Sequence, residues 1–193
     1  MENNLNIIEY AFDKPETRAK KRIGPHPENI INFIFGILLG DSHAERRLYR
    51  SKNGDINGST RITLQQEDSN IEYLMKCWKI LSKRGYCSKK KPILRTKIVK
   101  KGKIRRIIRI NTWSFTSFNY IHELFYIDGV KRVPKNIEEY LTPEVLAHWI
   151  MCDGSKVSSG IKLCTNSFIY EDLELLCRVL EKKYKLDSSI QKT

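Results

Sequence analysis

The chain has 193 residues, of which 40% are hydrophobic, and its 35 Lys and Arg outnumber 22 Asp and Glu to give a net charge of +13. That length allows one large domain or two small ones, and the cationic excess calls for a polyanionic partner, nucleic acid first and an anionic membrane surface second. No apolar run reaches the ~18 residues that span a bilayer, and of the two polyanions nucleic acid, not membrane, is the expected partner.

Residues 1–26 read as a polar N-terminal arm with a basic stretch from Arg18 to Arg22, and the acids Glu2, Glu9, Asp13 and Glu16 make it a poor organelle transit peptide. Pro27-Glu28 suits a first helical turn. The apolar run Phe33-Ile34-Phe35-Gly36-Ile37-Leu38-Leu39-Gly40 then stops on Asp41-Ser42. Gly36 and Gly40 fall on one helix face, where each costs about 1 kcal/mol of propensity. Close approach of a second helix would offset that cost, so both are expected at a helix interface.

Two strands should follow, His43 to Ser51 and Thr60 to Gln65, joined by a turn-rich segment. On the second, Ile62 and Leu64 face one way and Arg61, Thr63 and Gln65 the other. Asn70 to Lys83 is an amphipathic helix with Ile71, Leu74, Cys77, Trp78 and Leu81 at helical spacing. From Arg84 to Arg109 the chain carries a dense run of lysine and arginine and no acid. A Lys100–Lys103 turn should join two strands there, with Leu94, Ile98, Ile104, Ile108 and Ile110 inward. Arg95, Lys97, Arg105 and Arg109 would then face outward. Such a basic ribbon has the width of a DNA major groove. With Arg47, Arg61, Gln65 and Lys103, these outward residues form the expected nucleic-acid-binding set. A helix from Phe115 to Tyr126 closes this half at Asp128-Gly129.

The pattern then begins again. Thr142-Pro143-Glu144 is a strong helix start, and Leu146-Ala147-His148-Trp149-Ile150-Met151-Cys152 stops on Asp153-Gly154. A short strand, a Ser158-Ser159-Gly160 turn, a strand from Ile161 to Thr165 and a helix from Tyr170 to Tyr184 complete an internal repeat. Matching Leu180 to Leu81 sets Thr193 opposite Leu94, so the second half has no counterpart of the basic ribbon. The expected division is an arm over 1–26, a first half over 27–129, a linker over 130–141 and a shortened second half over 142–193. If the two motif helices pack in parallel, Asp41 and Asp153 emerge at the same end. Two carboxylates so placed repel unless a divalent cation sits between them, and Mg²⁺ prefers such oxygens.

The two motifs, with Gly24-Pro25-His26 and Val133-Pro134-Lys135-Asn136 around them, resemble the paired motifs of the LAGLIDADG homing endonucleases, in the single-chain form. The resemblance runs from about Gly24 to the C-terminus. It implies an α+β fold of two pseudo-symmetric αββα(ββα) halves, packed through the motif helices and gripping DNA with concave antiparallel sheets, the second half incomplete. It implies Asp41 and Asp153 as catalytic ligands of Mg²⁺ or Mn²⁺, with the carbonyls of Gly40 and Cys152 assisting. Lys131 matches an active-site lysine that orients water or stabilises charge. Asn166 stands where relatives often carry glutamine, and Gln65 or Gln66 plays the equivalent part in the first half. Cys152 departs from the family, since relatives often carry a second acid there. His148 is expected to pack, while His43 is within reach of a phosphate. No His-Asn-His spacing, phosphate-binding glycine loop or Ser/His/Asp arrangement competes with this reading.

The implied activity is metal-dependent, site-specific double-strand DNA cleavage that propagates a mobile intron. The rival readings are a group I intron splicing maturase with intron RNA as its partner, and a catalytically impaired DNA-binding module of the same fold. An incomplete second sheet would also leave an edge open to self-association. Family habit and the Asn/Lys/Ile-rich composition imply an organelle, the mitochondrion ahead of the chloroplast. The cysteines Cys77, Cys87, Cys152, Cys164 and Cys177 include no Cys-x-x-Cys pair, which argues against zinc or a disulfide framework and for small buried thiols.

Overall fold

The computed structural model describes residues 21–50, 52–54, 56–98 and 104–191. The chain forms two compact units, one of residues 1–25 with 41–119 and the other of 26–40 with 120–193. This division differs from the sequence halves, because the first motif helix belongs with the second motif helix rather than with the strands that follow it. Most of the expected arm, residues 1–20, and the Lys100–Lys103 turn lie outside the described residues.

The first unit is built on a four-stranded antiparallel sheet of β1 (Ser42–Arg50), β2 (Ile56–Glu67), β3 (Arg95–Ile98) and β4 (Ile104–Asn111), in the order β1-β2-β4-β3. Strand alternation sorts the residues. Ala44, Ile62, Leu64, Ile108 and Ile110 are buried, and Ser42 pairs with Leu64 and Leu64 with Ile110 across the strands. Numbering the Glu28–Leu39 helix α1, the helix Ile71–Lys83 is α2, and it packs on β2 and β4 with Leu74, Cys77 and Leu81 buried. Tyr86, Phe115 and Phe118 form an aromatic corner, with Phe115 and Phe118 ring centroids 4.6 Å apart. Arg22 is tied to this corner. Its Nη1 donates to the Ser114 carbonyl at 3.2 Å, and its guanidinium lies 5.4 Å from the Trp113 ring centroid.

In the second unit α1 pairs with α5, the helix Pro143–Asp153, after α3 (Asn119–Phe125) and α4 (Ile137–Tyr140). Thr142 caps α5 by accepting from the Val145 amide at 3.3 Å, with Pro143 at the first position. The two motif helices run parallel. A methyl group placed on Gly36 would come 2.5 Å from Cβ of His148 and 2.7 Å from the Val145 carbonyl oxygen, and one on Gly40 would overlap Cβ of Cys152. Only glycine allows this approach. Phe33 meets the His148 ring edge-on at 4.9 Å, and Phe35 lies between Phe125 at 5.3 Å and Tyr140 at 4.2 Å. Beyond α5 come β7 (Gly154–Val157), β8 (Gly160–Leu163) and α6 (Tyr170–Tyr184), β5 (Tyr126–Ile127) and β6 (Val130–Lys131) having preceded α4. Arg132 fastens α6 through two bonds to Asp172, at 2.8 and 3.0 Å, and Tyr184 O–H donates to the Leu141 carbonyl at 2.6 Å.

The order helix, acid, hairpin, helix therefore recurs as expected, and several finer expectations are corrected. Ile98 and Ile104 are 73% and 63% exposed rather than inward, because they pair with each other at the far end of the ribbon, beyond the part of the sheet that α2 covers. Ile71 is 41% exposed at the start of its helix, and Trp78 is half-buried with Nε1 donating to the Ser88 carbonyl at 3.0 Å, so neither is core. Thr63 lies on the strand face of Arg61 and Gln65 as expected but is itself buried, its hydroxyl bonded to the Asn111 side chain at 2.9 Å. The expected Phe115–Tyr126 helix is a 3₁₀ turn, Thr116–Phe118, followed by α3. Residues 126–131 form a tight hairpin whose turn puts Asp128 and Gly129 at positive φ. The stretch read as a linker is thus ordered structure. Cys77, Cys87 and Cys152 are buried as expected, but Cys164 is exposed. Burial pushes the Cys77 and Cys87 thiols up to about 12. No helix among the described residues is long and apolar enough to cross a membrane.

Candidate catalytic aspartates and nucleic-acid interface

Each motif helix ends where its sequence predicts. Gly40 terminates α1 and hands the chain to Asp41, which is exposed at the entrance to β1. Asp153 is the last residue of α5 and half-buried, and its Oδ2 would lie 3.4 Å from a methyl group on Gly40. Both carboxylates therefore sit at the negative end of a helix dipole, which favours a bound cation. Within the first unit, Gln66 Nε2 donates to Asp41 Oδ2 at 2.9 Å. Of the two glutamines, Gln66 is the one in contact with the motif aspartate. Gln66 shares the buried side of β2 with Ile62 and Leu64, whereas Gln65 accepts from Arg109 Nε and Nη2 at 2.9 and 2.6 Å on the other side.

Lys131 comes to the motif by way of β6. Its Nζ donates to the Gly40 carbonyl at 2.9 Å and lies 5.3 Å from the Phe168 ring centroid. The carbonyl expected to assist a metal is thus engaged by the lysine. Cys152 is buried, and its side chain fills the space beside Gly40. Asn166 is exposed in the turn after β8. His148 packs, as expected: burial lowers its pKa, with the charge of Glu144 acting in the opposite sense. Among the described residues, no group of three or more His, Cys, Asp and Glu could hold a metal ion. A divalent ion at either carboxylate would complete its shell from carbonyls, water or substrate phosphate.

The strand registers gather the expected binding residues on one face. Arg61 lies opposite Glu45, Gln65 opposite Arg109, Lys97 opposite Arg105 and Arg95 opposite Ile107. Because residues two apart share a face, Arg47, Arg61, Gln65, Arg95, Lys97, Arg105 and Arg109 all project from the side opposite α2. Lys103 lies outside the described residues. The face is not free of counter-charge, as the acid-free segment suggested. Arg61 Nη2 and Arg47 Nε reach Glu45 at 2.6 and 3.1 Å, Arg105 reaches Glu67 at 3.3 Å, and on the opposite strand face Arg106 reaches Asp68 at 3.3 Å. Burial alone would raise the Glu45 carboxyl, but hydrogen bonds from Arg61 and Arg47 bring it below the usual carboxylate range. These exposed pairs contribute little, about 0–1 kcal/mol each. Lys97 directly opposite Arg105 is a like-charge pair, which destabilises a bare sheet and is relieved by an anion.

A sequence model of the LAGLIDADG DNA endonuclease family matches residues 31–193. The chain belongs to this family. Over 97% of its length it is 43% identical to the cytochrome b mRNA maturase bI2 of Saccharomyces cerevisiae, and over 88% it is 39% identical to the protein of that name from Debaryomyces hansenii. It spans 45% and 62% of those two relatives. The intron-encoded endonuclease ai4 of Dictyostelium discoideum is 36% identical over 59% of the chain and 74% of that protein. The LAGLIDADG fold itself is shared with the homing endonuclease I-WcaI bound to its DNA recognition sequence, at a TM-score of 0.73 and 21% identity, covering 93% of this chain and 80% of that one.

Proposed function

We propose that the protein binds double-stranded DNA with its basic sheet face and cuts both strands at a specific site in a divalent-metal-dependent reaction, promoting intron mobility. The carrying observation is the strand register that collects the Arg, Lys and Gln side chains on the face opposite α2. Such a face combines phosphate neutralisation with planar donors for base edges. The intron-encoded endonuclease among its relatives supports the same reading.

The donor set fits Mg²⁺ or Mn²⁺. Asp41 and Asp153 supply hard oxygens at helix C-termini, and one or two carboxylates plus substrate phosphate is the usual Mg²⁺ arrangement. When bound, the ion would supply a positive field on the reacting phosphate oxygens and lower the pKa of a bound water. Gln66 would hold the Asp41 carboxylate in orientation. Lys131, anchored on the Gly40 carbonyl, would stand beside the first motif and stabilise developing negative charge. Organellar location, with the mitochondrion ahead of the chloroplast, belongs to the same proposal.

Replacing Asp41 or Asp153 by Asn tests this reading. Cleavage of DNA carrying the recognition site should vanish while binding persists. Undiminished metal-dependent cutting by either variant would refute it. A second reading, assistance to intron RNA splicing, is favoured by the likeness to the two maturases. Splicing by an Asp41→Asn protein that no longer cuts DNA would support it.

A further inference from the structure

We propose that the first unit carries a separate site for one unpaired nucleotide, in a cleft where β4 runs past the end of β3. The cleft measures about 440 Å³, near the lower end of the roughly 300–1,000 Å³ of small-ligand sites and suited to a single nucleotide. Trp78 and Trp113 both line it, each half-buried. Arg22 and Lys90 line it too, and Arg47, Arg61 and Arg109 make it continuous with the basic face. Among the described residues, no carboxylate lines it.

Arg22 is the feature that a structural role leaves unexplained. It is 7% exposed, yet its Nε has no hydrogen-bond partner among the described residues. An arginine this deep is normally paired. Its guanidinium is already positioned by Ser114 and Trp113, so the free donor requires no rearrangement to meet an anion. Burial also lowers its pKa, a cost that an adjacent phosphate would reverse.

The combination selects the ligand. Phosphate alone needs cations but not two tryptophans, and a paired base enters a cleft only after its pairing and stacking are broken. An unpaired base stacks on aromatic rings and on guanidinium planes, while its phosphate takes charged donors. Bulged or single-stranded nucleotides enter at least cost, because no pairing is broken. This inference rests on the nucleic-acid reading of the basic face and adds to it a site that duplex docking alone does not use.

The test measures affinity of the full chain for two pairs of oligonucleotides, a DNA duplex and an RNA hairpin, each fully paired or with one bulged 2-aminopurine. The bulged form should bind at least ten-fold more tightly in one or both pairs, with a change in 2-aminopurine fluorescence. Whichever pair shows the preference names the source as DNA or RNA. Trp78→Ala and Arg22→Met should reduce the ratio of bulged to paired affinity to within two-fold of one. Trp78→Phe, which keeps an aromatic face, should retain the preference. The ratio is internal to each preparation, so a general loss of folded protein does not change it. Equal affinity for bulged and paired forms in both pairs would overturn the inference and leave the duplex reading intact. Binding to none of the four would overturn both.

Discussion

Gln66 donates to Asp41 Oδ2 at 2.9 Å from a buried position on β2. A side chain that fixes the orientation of an acidic ligand typically contributes 10–100-fold to metal affinity or activity. Gln66→Ala should therefore lower DNA cleavage by about that factor, with the loss partly recovered at high Mg²⁺. Gln65→Ala, one residue away on the opposite face, should instead weaken DNA binding. Cleavage titrated against metal, beside equilibrium binding, separates the two.

The glycines of the first motif should tolerate no side chain. Gly36→Ala gains about 1 kcal/mol of helix propensity but drives a methyl group into Cβ of His148 and the Val145 carbonyl. Overpacking of this kind costs about 1–3 kcal/mol, and the Val145 contact is with backbone that cannot rotate away. Net destabilisation is expected in urea unfolding for Gly36→Ala and Gly40→Ala. Gly160→Ala, whose added methyl group would find only Val157 Cγ2 at 4.0 Å, should unfold like the parent protein.

Lys131→Met should depress cleavage by at least ten-fold while DNA affinity changes by less than about three-fold, the signature of an interaction made in the transition state. Lys131→Arg should not rescue, because a planar fork does not reproduce a compact ammonium anchored on one carbonyl. Single-turnover rates and Kd measured on the same preparations decide the point.

On the basic face, Arg95→Ala should reduce the slope of log affinity against log salt by about one unit if it meets a phosphate, and weaken all sequences alike. Arg109→Ala removes a guanidinium that Gln65 holds in a fixed orientation, which suits a bidentate contact to guanine. Its loss should cost ~1–3 kcal/mol at one base pair and little elsewhere. Unchanged affinity and salt dependence in both variants would leave this face merely solvated.

His26 gives a pH dependence to folding. Burial lowers its pKa to about 4, from an ordinary value near 6.5. Between those values the unfolded chain binds a proton that the folded chain does not, so stability falls as pH drops from 6.5 towards 4. His26→Gln should flatten that part of the profile in thermal melts taken at each pH. Burial of His148 acts in the same direction.

The helix ends, the strand alternation and the repeat were legible because each is written in neighbouring residues. Thr142-Pro143 states where a helix starts, and Ile62 and Leu64 state which side of β2 is buried. Inward-facing Ile98 and Ile104 failed on the same logic, since alternation names a face but not whether anything covers it. Residues 126–131 misled for a related reason: two paired strands of two residues each leave too short a pattern to read.

The sequence by itself determined the paired motifs, their terminal aspartates and a basic segment without acids, because apolar periodicity, glycine spacing and charge are local properties of the chain. Only the tertiary structure decided that Lys131 bonds the Gly40 carbonyl, that Gln66 rather than Gln65 holds Asp41, and that Glu45 and Glu67 meet the basic face. It alone brought Trp78, Trp113 and a buried Arg22 around one cleft. Those partners are distant in sequence, and strand register and helix packing, not composition, set which side chains meet.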